Sequence, residues 1–353
     1  MKDVIDQNQD EQAGSDGAHL QVVTPAYPIP NLEPPNATTD VARAPAKTSR
    51  EFGDVVFGGL VRGAVWLFLA VLVGIITVLI IRSMPTVQSN GLYFIFGDTW
   101  DPGSGLFGAA PAIVGTIIVA GAGMILAGTV GLASSIYLVE FSPRRLREGV
   151  AFLIELLAFI PSVVYGLWGL LVMVPWLQQT VQPWILQNFG TIPFFNGAPY
   201  GVGLMAAVLI LSIMLLPLIV SLSREALLLV PDSQREAMLA VGATRWEVLR
   251  HAVLPYARGG IFGATILSLG RALGETMAVA MLIGGSHRFA TNLFDQGYTL
   301  SSVIANEFGE AASEMHLSAL VEAGLILIII TAAVNLGGFY LMRRMSRMQG
   351  ARV

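Results

Sequence analysis

Six times along this 353-residue chain the sequence runs for about the 20 residues that an α-helix needs to cross a bilayer, almost without charge. The runs cover residues about 60–81, 111–139, 155–177, 201–222, 259–285 and 317–342. Backbone inside lipid must satisfy its own hydrogen bonds, so only helices and closed barrels span it, and the alternation of a barrel strand is missing here. An all-α membrane protein with six transmembrane helices is expected. Composition agrees, since only 12% of residues are charged, about half the usual share of a soluble domain.

Several function classes drop out. A net charge of −4 argues against a nucleic-acid binder. Zero cysteines exclude disulfides, thiolate zinc sites and a cysteine nucleophile. The histidines, His19, His251, His287 and His316, are too far apart for a helical two-histidine metal site. Lys2 and Lys47 are the only lysines, and neither sits in the Gly-x-x-x-x-Gly-Lys-Ser/Thr string of a P-loop. With no metal cluster and no nucleophile arrangement, the chain is not expected to be an enzyme.

Residues 1–52 contain six prolines, many polar residues and almost no apolar run, which predicts a disordered tail. A docking arm and a dispensable extension are both open readings of it. Basic residues orient the rest. All but three of the 20 (Arg82, Arg271 and Arg288) fall in the tail with its first flank, in 140–149, in 223–258 or at the C-terminus. Such an excess marks the cytoplasmic side, so both termini are expected inside (N-in/C-in). The connection 140–149 then reads as a brief basic turn. Outside, 178–200 carries no charge but has Trp184, Phe189, Phe194 and Phe195. It suits either an element lying at the membrane interface or packing on neighbouring external loops.

The inside connection 223–258 is long, charged and helically spaced. Ala237, Ala240 and Val241, then Val248, Leu249 and Ala252, recur at three- and four-residue steps, predicting two short amphipathic helices. Gly242 suits a left-handed position closing the first, Thr244 an N-cap opening the second, and Pro255 a stop before the fifth span. A helix–glycine–helix of this kind serves either as a lever seated in a partner's cleft or as an ordinary interfacial connector.

Glu236-Ala237-Met238, with Gly242 four positions on and Leu254-Pro255 beyond, resembles the EAA loop of ABC-importer membrane subunits. It departs from that pattern at Met238, where the family has alanine, and at Ala252, where it has isoleucine. Gly270 to Val279 (GRALGETMAV) is similar to the fifth-helix signature of phosphate-importer membrane subunits, of the PstC type rather than its PstA-type partner. The resemblance covers about residues 55–345. It implies the ABC-importer permease fold in the bacterial plasma membrane, one half of a translocation pathway, and no cofactor in this chain. ATP and Mg would be bound by a separate ABC ATPase homodimer gripping Glu236, Ala237, Met238, Gly242, Leu254 and Pro255. The other implied partners are a homologous second permease subunit, an extracytoplasmic phosphate-binding protein and membrane lipid.

Two charges interrupt the fifth run. A central arginine costs about 2.5–3.5 kcal/mol on insertion scales, so Arg271 should face protein or water. Glu275, four residues on, is expected on the same helix face, and Gly263, Gly270 and Gly274 form a strip for close helix approach. Arg271 and Glu275 are expected to line the phosphate path; a structural ion pair joining helices is the competing reading. Glu155 and Glu322 read as structural, and Pro161, Pro175 and Pro217 as kinks. The rival function classes are a sulfate or molybdate permease subunit, a stand-alone secondary transporter and a non-transporting scaffold.

Overall fold

The computed structural model describes residues 52–350. It distinguishes two units, Met1–Val65 and Trp66–Val353. Within the first, the described residues open helix α1 (Phe52–Asn90), with Phe57 and Leu60 exposed. The tail expected over 1–52 lies outside the described residues except for Phe52.

The second unit is helical apart from one small hairpin. After α1 come α2 (Ala110–Ile136), α3 (Arg144–Ala158), α4 (Ser162–Trp168), α5 (Gln182–Phe189) and α6 (Leu204–Leu228). They are followed by α7 (Asp232–Ala240), α8 (Arg245–Val248), α9 (Leu254–Leu273), α10 (Met277–Leu282), α11 (Leu300–Glu307) and α12 (Glu314–Gly350). Among the described residues, five stretches are long and apolar enough to cross a membrane: Gly53–Asn90, Ala110–Phe141, Leu204–Leu228, Arg245–Leu273 and Glu314–Arg344. A sixth exists if Arg145–Ala158 and Ser162–Phe189, bent by 92°, form one span.

Helix α6 is the hub: most of it is buried inside the chain, whereas the most apolar part of the first span is not buried. Lipid is as apolar as leucine, so such packing rests on close approach rather than on escape from water. Small residues provide it: a Cβ on Gly131 of α2 would lie 2.8 Å from Ile219 Cγ2. Buried Ser212 Oγ donates across to the Gly123 carbonyl at 3.2 Å.

The prolines are accommodated in more than one way. The described residues contain four wide i→i+5 turns, Tyr137–Phe141, Gly169–Met173, Leu177–Val181 and Leu249–Val253. Each is followed, two positions later, by a proline: Pro143, which is extended and opens α3, and Pro175, Pro183 and Pro255, which lie in continuing helix. A helical proline lacks a donor and clashes with the carbonyl four residues back; widening the preceding turn moves that carbonyl away. Leu254 N–H accordingly bonds to Leu249 O, five back. Pro255 therefore does not stop a helix. Arg245 to Leu273 is continuous, and the connection expected over 223–258 is shorter because α6 also runs on to Leu228. Pro217 lies inside α6.

Pro161 does interrupt. The residue before a proline is pushed out of the helical region, α3 ends at Ala158, and the chain restarts at Ser162 after turning by 92°. The third run, expected as one helix over 155–177, is thus split, and the supposed turn 140–149 already contains the first residues of α3. The uncharged segment 178–200 contributes α5, and the Leu293 N–H donates to Phe194 O at 3.0 Å, tying it to a neighbouring loop.

The fifth run is also not one helix. Helix α9 ends at Leu273, residues 274–276 are not helical, and α10 begins at Met277. Ser301 Oγ, from the first turn of α11, donates to the Glu275 carbonyl at 2.8 Å and holds the break open. The premise that placed Glu275 on the same helical face as Arg271 fails, and Gly274 leaves the glycine strip. Gly263 and Gly270 remain, both facing α12, where their nearest neighbours are Met342 and Asn335.

Candidate functional site

The hairpin between α6 and α9 is built from α7, a glycine turn and α8. Gly242 has φ +85°, and Ala243 N–H returns to Met238 O at 3.2 Å, closing α7. Thr244 then caps α8 in a reciprocal box: its N–H reaches Glu247 Oε2 at 2.7 Å, and its hydroxyl accepts from Glu247 N–H at 3.4 Å. Met238 packs on a buried cluster that includes Val139, Leu227, Val248 and Leu249. The apolar residues of the two helices divide: Val248 and Leu249 are buried, whereas Ala237, Ala240 and Val241 are exposed, Val241 at 80%, as is Trp246 at 59%. Glu236 and Pro255 are exposed and Leu254 is half-buried.

Arginine holds the hairpin down. Arg235 donates to carbonyls at and just past the end of α6, Leu227 O at 3.1 Å and Val230 O at 2.6 Å. It also pairs with Glu140 at 3.1 Å, both side chains being more than four-fifths buried. Carbonyls at a helix end have no partner in the helix, and a guanidinium satisfies several at once. Arg147 does the same at the end of α2, donating to Leu138 O at 2.9 Å and to Val139 O. The hairpin thus has a fastened inner side and an open apolar outer side. Sequence reading singled out Glu236 and missed its neighbour Arg235; a basic residue seven positions past the end of the fourth apolar helix was the available signal.

The second constellation surrounds Arg271 in the last turn of α9, where a cation also meets the negative end of the helix dipole. Its side chain is exposed, and among the described residues it makes no ion pair. The pair with Glu275 is not formed in this chain. Arg271 lines a pocket of about 360 Å³ with Leu218, Leu267, Gly270 and Asn335. Helices α9 and α12 run antiparallel here, since Gly263 meets Met342, Gly338 meets Ile266 and Gly270 meets Asn335. Asn335 lies nine residues before Arg344, so this level is roughly 14 Å inside that end at 1.5 Å per residue, near half the ~30 Å hydrocarbon core. Non-helical backbone such as 274–276 persists at that depth only where protein or a polar cavity receives it. Glu155 is exposed and Glu322 is buried at 6% exposure; neither lines this pocket.

A third cluster, unforeseen from sequence, joins segments outside the long helices to the start of α12. Strands β1 (Trp100–Asp101) and β2 (Leu106–Phe107) form an antiparallel hairpin. Glu307 at the end of α11 accepts from Trp100 Nε1 at 2.8 Å and bonds His287 Nε2 at 2.5 Å and His316 Nε2 at 2.9 Å. Trp100 stacks on the His287 ring at 4° and Phe107 on His316 at 19°. Burial pushes the Glu307 carboxyl up, but bonds from His287, Trp100 and His316 outweigh it and hold the group below its ordinary 4.5. A depressed carboxylate stabilises the fold above its unfolded pKa, and that contribution is lost as pH falls through the folded value. The thermal midpoint of the detergent-solubilised protein should therefore exceed that of Glu307→Gln at neutral pH, with the gap closing below pH ~4. A gap constant from pH 7 down to pH ~3 would contradict this.

Residues 122–347 match the family described as binding-protein-dependent transport system inner membrane component. A phosphate transport system permease protein PstC from Mesorhizobium japonicum is 42% identical over 310 residues, covering 86% of this chain and 95% of its own length. The chain belongs to the PstC family of transport permeases. A PstC protein of Haemophilus influenzae is 40% identical over 283 residues, covering 79% of this chain and 90% of its own. Among solved structures, the MetNI methionine ABC transporter in an inward-facing conformation superposes with a TM-score of 0.51 at 20% identity, over 66% of this chain and 94% of that one. A bacterial alginate ABC transporter gives 0.50 at 18% identity, over 84% and 98%. At those identities the structures speak for fold alone, which is that of an ABC-transporter permease. PstC membership decides between an importer subunit and the stand-alone transporter that a broken helix on its own would also suit.

Proposed function

We propose that this chain is the multi-pass permease subunit of an ATP-driven inorganic phosphate importer. It forms half of the translocation pathway, beside a homologous PstA-type subunit. Both termini lie in the cytoplasm, a phosphate-binding protein delivers cargo at the outer face, and an ABC ATPase homodimer binds the inner one. The chain itself is non-catalytic; ATP and Mg belong to the ATPase.

The observation that carries this reading is the two-sided hairpin. Its inner side is bolted to the ends of α2 and α6 by Arg235. Its outer side offers Glu236, Ala237 and Val241 to a partner. A lever must be stiff against the body it moves and open to the part that drives it. ATPase closure would push α7 and α8, and the continuous helix from Arg245 to Leu273 would carry that displacement directly to Arg271. There the planar guanidinium matches a tetrahedral oxyanion, and with no carboxylate paired to it among the described residues it is free to take one. Binding there must stay weak enough for the ion to leave; selectivity is assigned chiefly to the binding protein.

Reconstitution with the partner subunits tests the reading. Proteoliposomes should accumulate phosphate only with ATP and loaded binding protein, and should not accumulate sulfate. Equal uptake of sulfate would assign the chain to another oxyanion, and uptake without the ATPase would reject the coupled mechanism.

A further inference from the structure

Gly270, the residue before Arg271, is covered by the amide of Asn335. A Cβ at position 270 would lie 2.9 Å from Asn335 Oδ1 and 3.1 Å from Nδ2, so only glycine admits that side chain so close to α9. Asn335 is half-buried on α12, and among the described residues its amide has no hydrogen-bond partner. An amide without a partner at the depth derived above is costly to place. The groups that share its pocket are the apolar Leu218 and Leu267, the bare backbone of Gly270 and the unpaired Arg271.

We propose that Asn335 is a second ligand for the translocating oxyanion, donating its Nδ2–H to the anion that the Arg271 guanidinium holds. The inference rests on the reading of Arg271 as a pathway group. Its chemistry suits a passing ion: a neutral amide adds a directional donor without the second positive charge that would trap a phosphate. Two helices then share the load, α9 supplying charge and α12 supplying direction, and a shift of one past the other dismantles the site. That is how a hairpin-driven movement of α9 would release the anion.

The test uses the complete importer in proteoliposomes, with inorganic phosphate as cargo at saturating binding protein, following phosphate transport and ATP hydrolysis in parallel. Asn335→Leu, similar in size and fully compatible with lipid, should slow transport about tenfold, the scale of one lost hydrogen bond to a charged group, while stimulated ATP hydrolysis continues. Asn335→Asp keeps the shape but removes the donor and adds repulsion, so it should lose at least as much. Native transport by either variant, alongside loss in Arg271→Ala, would overturn the role of Asn335 and leave that of Arg271 standing. Native transport in all three would overturn both. Transport and ATP hydrolysis falling together in both Asn335 variants would mark a packing role and equally overturn the proposal.

Discussion

Arg271→Ala is expected to cut ATP-driven phosphate uptake by roughly a hundredfold, the scale of a charged, two-pronged hydrogen-bond contact. The complex should still assemble, and binding-protein-stimulated ATP hydrolysis should persist. This expectation follows from what surrounds the guanidinium. It is exposed, lies beside a break in its helix, and has no carboxylate partner among the described residues. A structural ion pair would give a different result, because removing one partner of a buried pair destabilises the fold, and the variant would then be lost from the membrane rather than idle in it. Arg271→Lys sharpens the distinction. It keeps the charge but loses the planar fork, so uptake should be intermediate. Native uptake in Arg271→Ala at native expression would reject the pathway role.

The second large effect is expected at Arg235. Its removal strands the Val230 carbonyl, takes one donor from the Leu227 carbonyl and leaves Glu140 without its cation. Those groups are mostly buried, so the local loss should be about 2–4 kcal/mol. That is enough to free the hairpin while the transmembrane helices, packed through α6, stay folded. Arg235→Ala should therefore reach the membrane in normal amount yet lose most phosphate uptake. A benzophenone attached at Ala237→Cys should still capture the ATPase, but with nucleotide no longer changing the yield. Unchanged uptake would show that the Arg235 fastening carries no force.

Much of this architecture was legible in the residues. Long uncharged runs predicted membrane helices because lipid leaves the backbone few alternatives, and Gly242 and Thr244 announced the turn and cap they form because both effects are local. What escaped depended on partners distant in sequence or on choices between local solutions. Proline removes one hydrogen bond wherever it falls; whether the chain answers with a wide turn, as before Pro255, or a sharp bend, as at Pro161, depends on the packing available. The break after Leu273 relies on Ser301, 26 residues away, to satisfy the Glu275 carbonyl. The same-face argument for Arg271 and Glu275 assumed a continuous helix and fell with it. Asn335 was readable in principle: an amide in an otherwise apolar run is as anomalous as a charge. Glu307, by contrast, gains its meaning only when Trp100, His287 and His316 are brought to it.

The measurement that bears most directly on the whole account is contact between the hairpin and a nucleotide-hydrolysing subunit. The chain has no cysteine, so a thiol at Ala237, exposed on α7, is unique in it. Photo-crosslinking from that position in the native complex should capture the ATPase, with a yield that changes between nucleotide-free and ATP-bound states. It should also be shielded from membrane-impermeant thiol reagents added outside the cell. Capture of no ATPase, or labelling of position 237 from the exterior, would contradict the account.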